Sequence, residues 1–239
     1  MIEGPTNVAE AIRSGVALDE VFVDEAAEPP AGADAAGVPV TWVRAGVLDG
    51  LLSTRQPQPV CAVAPTDRVR PLDDVVAAAV AADRPVLVLV DLADPGNAGT
   101  LLRSAEAAGA AGVVLVGASV DPYNPKVVRS SAGSIFRVPL AEAATLDEVI
   151  AAVGDRPSWA ATAGGTVAHT EAALGGAGAI VIGNEAHGLS PAQVAACRSS
   201  VRIVMDGPTE SLNAAMAGTV LLFESMRQRH AAADHNGAR

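Results

Sequence analysis

Short apolar runs alternate with stretches of helical periodicity from residue 86 onwards. The runs are rich in Val, Leu, Ile and Ala, as in strands buried on both faces, and they cover residues 86–90, 112–116, 159–162, 179–182 and 201–204. The stretches between them predict helices over residues 99–109, 125–132, 146–153, 191–197 and 212–229. Regular alternation of strand and helix is typical of a parallel sheet covered on both faces. We therefore predict an α/β fold with a parallel sheet for this part of the chain.

The preceding residues have a less regular pattern. Short β-like runs (21–23, 38–43 and 60–64) and a helical stretch (7–14) are interrupted by a loop rich in Pro, Gly and Ala (28–37). This pattern predicts a small α/β domain that is separate from the large one. The predicted division is a small domain over residues 1–68, a linker with a helix at 72–82 over residues 69–85, a large domain over residues 86–230, and a disordered tail over residues 231–239.

Composition narrows the class of protein. Half of the residues are apolar and 18% are charged, so a sizeable core can form. The N-terminus lacks the basic start and apolar core of a secretory signal, and no apolar stretch is long enough to cross a bilayer. Cys61 and Cys197 are the only cysteines, and no His/Cys cluster accompanies them. We therefore expect a cytoplasmic protein without a membrane span, a disulfide or a metal site.

The net charge of −11 bears on the choice of partner. Proteins that bind nucleic acid usually carry a basic face, because neutralising phosphates supplies much of their affinity. Here Lys126 is the only lysine and every other basic residue is an arginine. The charge therefore argues against tight, non-specific binding of nucleic acid, although a local basic patch stays open.

Three polar segments that contain glycine follow predicted strands. Residues 94–103 (DPGNAGTLLR) predict a tight turn into a helix whose first N–H groups could bind an anion, with Arg103 about one turn into that helix. In residues 182–190 (IGNEAHGLS), a glycine allows close approach of a ligand to the backbone, and His187 is a candidate general base. Residues 203–213 (IVMDGPTESLN) lead into the last helix. Because ligands bind at the carboxyl ends of parallel strands, we expect one shared site.

Each segment also has a purely structural interpretation. Arg103 could be a surface residue after an ordinary turn, and a lone loop histidine such as His187 is commonly only solvated. Asn184 and Glu185 could cap the next helix, but Ser190 before Pro191 already supplies a good cap. Ser211 is a credible N-cap of the last helix, and Asn213 could serve the same turn.

The three segments together resemble the SpoU/TrmH family of RNA 2′-O-ribose methyltransferases, in the SPOUT superfamily. Its three signature motifs are similar, in the same order, to Asn97-x-Gly99-x-x-x-Arg103, Gly183-Asn184-Glu185-x-x-Gly188-Leu189, and Met205-x-Gly207 followed by Glu210-Ser211-Leu212-Asn213. The similarity covers residues 86–229, and residues 1–65 resemble the family's small substrate-binding domain. One departure is Val204, which stands where the family usually has a proline.

The resemblance implies a SPOUT trefoil knot, a homodimer whose site uses both chains, and S-adenosylmethionine (SAM) as methyl donor. The substrate it implies is a ribose 2′-hydroxyl in structured RNA, with ribosomal RNA favoured over transfer RNA. The SAM-binding positions it implies are Thr162, Ala163, Gly183, Asn184, Ile203, Met205, Ser211 and Leu212. Its catalytic positions are Asn97, Arg103, Glu185 and Asn213, and the expected RNA-binding residues are Arg55, Arg103, Lys126 and Arg129.

In this interpretation Arg103 clamps phosphate and the developing alkoxide, because a guanidinium is almost never deprotonated in a protein. Asn97 orients that region, and Glu185 holds Arg103 or loop N–H groups. Two other classes of protein stay open. A non-catalytic RNA-binding or ribosome-assembly homologue would have no need of all four polar residues, and a nucleotide-dependent oxidoreductase would need the G-x-G-x-x-G fingerprint that the chain lacks.

Overall fold

Two β-sheets organise the computed structural model, which describes residues 1–53 and 56–237. The smaller sheet has the strand order β1-β4-β2-β3, with β4 antiparallel to β1 and β2, and with β3 parallel to β2. Its elements are β1 (Ile2–Glu3), α1 (Pro5–Arg13), β2 (Glu20–Asp24), α2 (Ala33–Ala36), β3 (Val40–Val43), a 3-10 turn (Leu48–Gly50) and β4 (Val60–Val63).

The larger sheet has eight strands in the order β10-β12-β9-β11-β6-β7-β8-β5, and every pair is parallel. Its strands are β5 (Val69–Arg70), β6 (Pro85–Val90), β7 (Gly112–Val116), β8 (Leu140–Ala143), β9 (Ser158–Ala161), β10 (Val167–Ala168), β11 (Gly178–Ile182) and β12 (Ser199–Arg202). Its helices are α3 (Leu72–Ala82), α4 (Pro95–Ala108), α5 (Pro125–Ser130), α6 (Leu146–Val153), α7 (Pro191–Ala196) and α8 (Ala214–Gly237), with a 3-10 turn at Ser134–Phe136. The predicted α/β fold with a parallel sheet is therefore confirmed.

Helices cover both faces of this sheet, as the alternation of side chains in its central strands requires. Leu87 and Leu89 of β6 pack into the apolar cluster that includes α4, α5 and α8. Val86, Val88 and Val90 of the same strand pack on the other side, with α3 and α6. Because β6 is buried along its whole length, its carboxyl end is fixed firmly beneath the loop that follows it.

Several boundaries differ from the sequence-based prediction. Helix α4 begins at Pro95, four residues earlier than predicted, because Asp94 caps it; Arg103 therefore lies a little over two turns into the helix. The segment predicted as a linker belongs to the large unit, because β5 pairs with β8 and α3 packs on one face of the sheet. The last helix continues to Gly237 past the start of the predicted tail, because residues 231–233 are alanines and favour helix.

The small unit is joined to the large one by apolar packing and ion pairs. Apolar residues of β1, α1, β2 and β4 belong to the same buried cluster as residues of α4 and α5. Arg129 Nη1 lies 2.7 Å from Glu3 Oε2, and Arg137 Nη1 lies 2.9 Å from Glu10 Oε2. The carboxylate of Glu106 also accepts from Arg137, so this guanidinium links α1 to α4.

Candidate active site

A cavity of about 360 Å³ opens at the carboxyl ends of β9, β11 and β12. All eight residues that were predicted to bind the cofactor line it: Thr162, Ala163, Gly183, Asn184, Ile203, Met205, Ser211 and Leu212. The lining also includes Leu189 and Ala217, which the prediction missed because an isolated apolar residue in a loop or helix carries no chemical signature. Three segments that are distant in sequence therefore form one site.

Gly183 allows the loop after β11 to fold back on itself. A Cβ atom at this position would lie 2.5 Å from the carbonyl carbon of Gly188 and 2.6 Å from the nitrogen of Leu189. The turn of this loop is closed by the Gly188 N–H, which donates to the carbonyl oxygen of Asn184 (2.8 Å). Because these contacts are with backbone, any side chain at position 183 would force the cavity wall apart.

Asn184 ties this loop to the neighbouring strand β6. Its Nδ2 donates to the carbonyl oxygen of Asp91 (2.8 Å), and its Oδ1 accepts from the amides of Ala186 (2.9 Å) and His187 (3.2 Å). The helix α7 that follows has its own capping box, formed by Ser190 and Gln193. Asn184 is therefore a cross-link between two strand ends rather than the cap of α7.

Glu185 makes a second cross-link between the same strand ends. Its carboxylate accepts from the amides of Ala93 (3.0 Å) and Asp94 (2.9 Å) and from Asn97 Nδ2 (3.0 Å). Partial burial raises the pKa of Glu185, but these hydrogen bonds lower it by more, so its pKa lies below the usual value. The amides of Gly96 and Asn97 are capped by Asp94. The N–H groups that were predicted to meet an external anion therefore meet carboxylates of the chain.

Asn97 and Asn213 extend this arrangement into a directional chain of hydrogen bonds. Asn213 Nδ2 donates to Asn97 Oδ1 (3.1 Å), and Asn97 Nδ2 in turn donates to Glu185. Asn213 Oδ1 accepts from the amides of Ala215 (2.9 Å) and Met216 (3.3 Å), so Asn213 caps α8. Of the two candidate caps, Asn213 is the one used and Ser211 is not, because α8 begins at Ala214, three residues after Ser211.

Arg103 lies apart from this chain of hydrogen bonds. It is on the exposed side of α4, six residues beyond Asn97, which corresponds to about 9 Å along the helix axis. It is not among the residues that line the cavity, and within the described ranges its guanidinium has no hydrogen-bond or ion-pair partner. Of the two alternatives predicted for Glu185, the structure shows that it holds loop N–H groups and not Arg103.

The other expected RNA-binding residues are in different environments. Lys126 is half exposed, with its Nζ 3.5 Å from Asp94 Oδ2, at the same turn as the hydrogen-bond chain. Arg129 is instead occupied between the two units, where it donates to Glu3 and to Ser53 Oγ (2.8 Å). Arg55 lies outside the described residues.

Comparison with known proteins identifies the family. Residues 84–223 match the model of the SpoU rRNA Methylase family, and residues 1–78 match that of the N terminus of thiostrepton-resistance methylase. The chain belongs to the SpoU rRNA methylase family.

Relatives and solved structures agree with this family. The chain is 40% identical over 147 residues to the 23S rRNA (uridine(2479)-2′-O)-methyltransferase of Streptomyces viridochromogenes, an alignment covering 56% of this chain and 50% of the relative. It is 28% identical over 228 residues to the 23S rRNA (guanosine(2553)-2′-O)-methyltransferase RlmP of Bacillus subtilis, covering 93% of this chain and 86% of the relative. The crystal structure of the SpoU methyltransferase AviRb from Streptomyces viridochromogenes with AdoMet superimposes with a TM-score of 0.80 and 28% identity, over 96% of this chain and 89% of that one.

The predicted SpoU family membership is thus confirmed. The parallel eight-stranded sheet and its SpoU neighbours are consistent with the trefoil-knot class. None of the helices within the described residues is long and apolar enough to cross a membrane.

The residues that line the cavity are suited to binding SAM. Ile182, Ile203 and Leu212 offer apolar walls suited to an adenine ring, while Thr162 and Ser211 supply polar groups at the rim. The absence of a side chain at Gly183 leaves backbone accessible to the ligand. The volume of about 360 Å³ is in the range of pockets for small-molecule ligands.

Proposed function

We propose that this protein methylates a ribose 2′-hydroxyl of ribosomal RNA. The observation that carries the proposal is the single cavity that gathers all eight expected SAM-binding residues. SAM as the cofactor is confirmed by membership of the SpoU family and by the AdoMet-bound neighbour. Relatives named as 23S rRNA 2′-O-methyltransferases support ribosomal over transfer RNA. A cytoplasmic location follows from that substrate and is part of the same proposal.

The residues of the chain act by binding and orientation. Bound SAM supplies a methyl group that its sulfonium already activates. The carbon–sulfur bond breaks as the bond from the 2′-oxygen to the methyl carbon forms, and the 2′-proton leaves to water or to a phosphate. Arg103 is the residue that we assign to RNA phosphate and to the negative charge that develops on this oxygen. Asn97, Glu185 and Asn213 fix the turn into α4, and so position the helix that carries Arg103.

The test is methyl transfer to purified 23S rRNA or large ribosomal subunits, followed by mapping of 2′-O-methylated nucleotides. The variant R103A should lose methyl transfer while keeping SAM affinity within about twofold, because Arg103 lies outside the cavity lining. Its matched control is R70A, since Arg70 is exposed on β5 at the opposite edge of the sheet from the cavity. Full turnover by R103A, or methyl groups on bases instead of riboses, would refute the assignment.

The proposal includes a homodimer formed through the large unit. Met216 and Phe223 are 55% and 41% exposed on α8 and lie seven residues apart, on one side of the helix. Burial of this apolar stripe against a second copy would stabilise a dimer. It also gives a reason for the position of Arg103, which is unpaired among the described residues and separate from the cavity of its own chain.

Mixed dimers test whether Arg103 acts across the interface. In a mixture of R103A and G183W chains that are refolded together, the R103A chain supplies an intact cavity and the G183W chain supplies an intact Arg103. These two parts form one complete site in a mixed dimer only if the site uses both chains. Random pairing should then restore about one quarter of wild-type turnover. Each variant alone should be inactive. A mixture that is also inactive, despite dimers in size-exclusion chromatography, would place Arg103 in the site of its own chain.

A further inference from the structure

One wall of the cavity is a loop with few attachments. Residues 203–212, here called the 203–212 loop, contain no helix or strand, and Ile203, Met205, Ser211 and Leu212 line the cavity. Within the described part of the chain, the loop makes one hydrogen bond to another segment: the N–H of Val204 donates to His169 Nδ1 (3.4 Å). At the far end, the loop is continued by Asn213, which is held by Asn97.

The position of His169 is fixed by its neighbours on both sides. Strand β10 pairs with β12, and the N–H of His169 extends this ladder by donating to the carbonyl oxygen of Arg202 (2.8 Å). The residues after His169 are held by α8, where Gln228 Oε1 accepts from the amides of Leu174 (2.9 Å) and Gly175 (3.0 Å). The backbone at His169 is therefore held by β12 on one side and by α8 on the other, whereas the 203–212 loop is held mainly at its ends.

Val204 supplies the donor of this contact through its backbone N–H. A proline at this position would have no N–H to donate. Its side chain is 52% exposed, and its N–H makes the one hydrogen bond that joins the 203–212 loop to another segment within the described residues. The hydrogen bond to His169 thus restrains the start of the 203–212 loop.

We propose that His169 is a positioning residue that fastens the 203–212 loop for SAM binding and makes the affinity for SAM fall as the pH falls. The inference rests on the proposed SAM site. A ring nitrogen that accepts a hydrogen bond carries no hydrogen, so the neutral imidazole has its proton on Nε2. Protonation places a hydrogen on Nδ1, opposite the N–H of Val204, and the loop then loses its restraint.

The charged groups around His169 do not supply a substitute contact. Glu224 of α8 is within electrostatic reach, since His169 contributes to the lowering of its pKa, but its hydrogen bond with Arg227 is the larger cause. The guanidinium of Arg202 donates to the carbonyl oxygens of Gly165 and Thr166. Glu171, on the same segment as His169, is exposed. The acceptor for the N–H of Val204 is therefore Nδ1 of His169.

Three variants test the proposal by calorimetric titration with SAM across about pH 5.5 to 8. Wild-type affinity should fall by about five- to tenfold between these limits, the effect of losing one hydrogen bond. H169N keeps an acceptor near the Nδ1 position and does not titrate, so its affinity should show no such fall. V204P removes the donor and should likewise be independent of pH. H169L has no acceptor and should bind SAM weakly at every pH. Comparing the wild type with H169N removes any pH dependence that comes from titration of SAM itself.

A second histidine, His187, lines the cavity itself. If H187N abolishes the pH dependence and H169N retains it, the proposal is overturned. If V204P does not fold, the two His169 variants still decide the question.

Hydrogen exchange of the ligand-free protein separates this inference from the proposed function. The amide of Val204, corrected for its intrinsic exchange rate, should be less protected at low pH in the wild type and unchanged in H169N. If the protein binds no SAM at any pH, the proposed function fails, while exchange still tests the contact. Protection that is the same at both pH values in the wild type would overturn the role of His169.

Discussion

Asn213 has two roles at the start of α8, and a single substitution separates them. Asn213→Asp keeps an oxygen that can cap the amides of Ala215 and Met216, but it replaces the Nδ2 donor with a second acceptor. The amide of Asn97 cannot rotate to compensate, because its own Nδ2 is committed to the carboxylate of Glu185.

We therefore expect N213D to keep its melting temperature within about 2 °C of the wild type and to lose at least tenfold in methyl transfer. N213A, the matched control, loses the cap as well and should be less stable by about 1 kcal/mol. Thermal unfolding and turnover of both variants distinguish the two roles. Equal activity of N213D and wild type would mean that the bond between the two asparagines is dispensable.

The lowered pKa of Glu185 implies that the stability of the fold depends on pH. Its pKa is lower in the folded chain than the ordinary value of 4.5, so its ionised form stabilises the fold above pH 4.5, and this contribution is lost as the pH falls through the folded value. E185Q should therefore have a lower melting temperature than wild type at about pH 7, and the difference should shrink below about pH 4.5. Thermal scans at several pH values check this. A deficit of the same size at about pH 3.5 would show that the carboxylate charge is not the cause.

At the scale of single residues, the sequence predicted which polar residues lie close together, but not which hydrogen bonds each of them makes. Polar residues after parallel strands must lie at one edge of the sheet, which is why Asn97, Glu185 and Asn213 could be grouped in advance. Whether Ser211 or Asn213 caps α8 could not be decided, since both residue types are good caps and the choice depends on where the helix begins. The isolation of Arg103 could not be predicted either, because it depends on a boundary of α4 set by Asp94.

The loop between β11 and α7 depends on one glycine. G183A places a methyl group against the backbone of Gly188 and Leu189, which can move only if the cavity wall opens. We expect G183A to lower SAM affinity by at least tenfold, measured by calorimetry. G207A is the matched control, because a Cβ atom at Gly207 would meet nothing within 4 Å, and it should bind SAM as the wild type does. Unchanged affinity of G183A would contradict the tight return of this loop.

Elements were predicted where their periodicity was strong and missed where local signals were weak. Helix α6 has the predicted bounds because its apolar side chains repeat at the helical period, and strand β7 has them because it is a continuous apolar run buried on both faces. Strand β8 was missed, since its sequence, LAEA, is short and has little β-propensity, and only its pairing with β7 makes it a strand. Gly99 of the first motif serves helix packing, since a Cβ atom there would lie 2.7 Å from the nitrogen of Ser131 in the segment after α5.

At the scale of the whole molecule, Glu3 and Arg129 join the two units through a nearly buried ion pair. Glu3 is 3% exposed and its carboxylate accepts from Arg129 and from the amide of Ser53. R129A leaves this charge buried without its partner, which should cost about 2–4 kcal/mol and lower the melting temperature by about 5–10 °C. The double variant E3Q/R129A should recover part of the loss. Thermal unfolding with no change in R129A would mean that the pair adds nothing to the interface.

The ion pair with Glu3 occupies the guanidinium of Arg129, so this arginine is less available than Arg103 for binding RNA phosphate. Each contact with a phosphate releases counterions, so removing one should reduce the slope of log K against log salt by about 1. R103A should show this reduction, because Arg103 is exposed and unpaired within the described residues. R129A should keep the wild-type slope at a temperature where it is folded, since its guanidinium is held by Glu3. Binding of an rRNA fragment measured over a range of salt concentrations separates the two, and a reduced slope for R129A alone would reverse their roles.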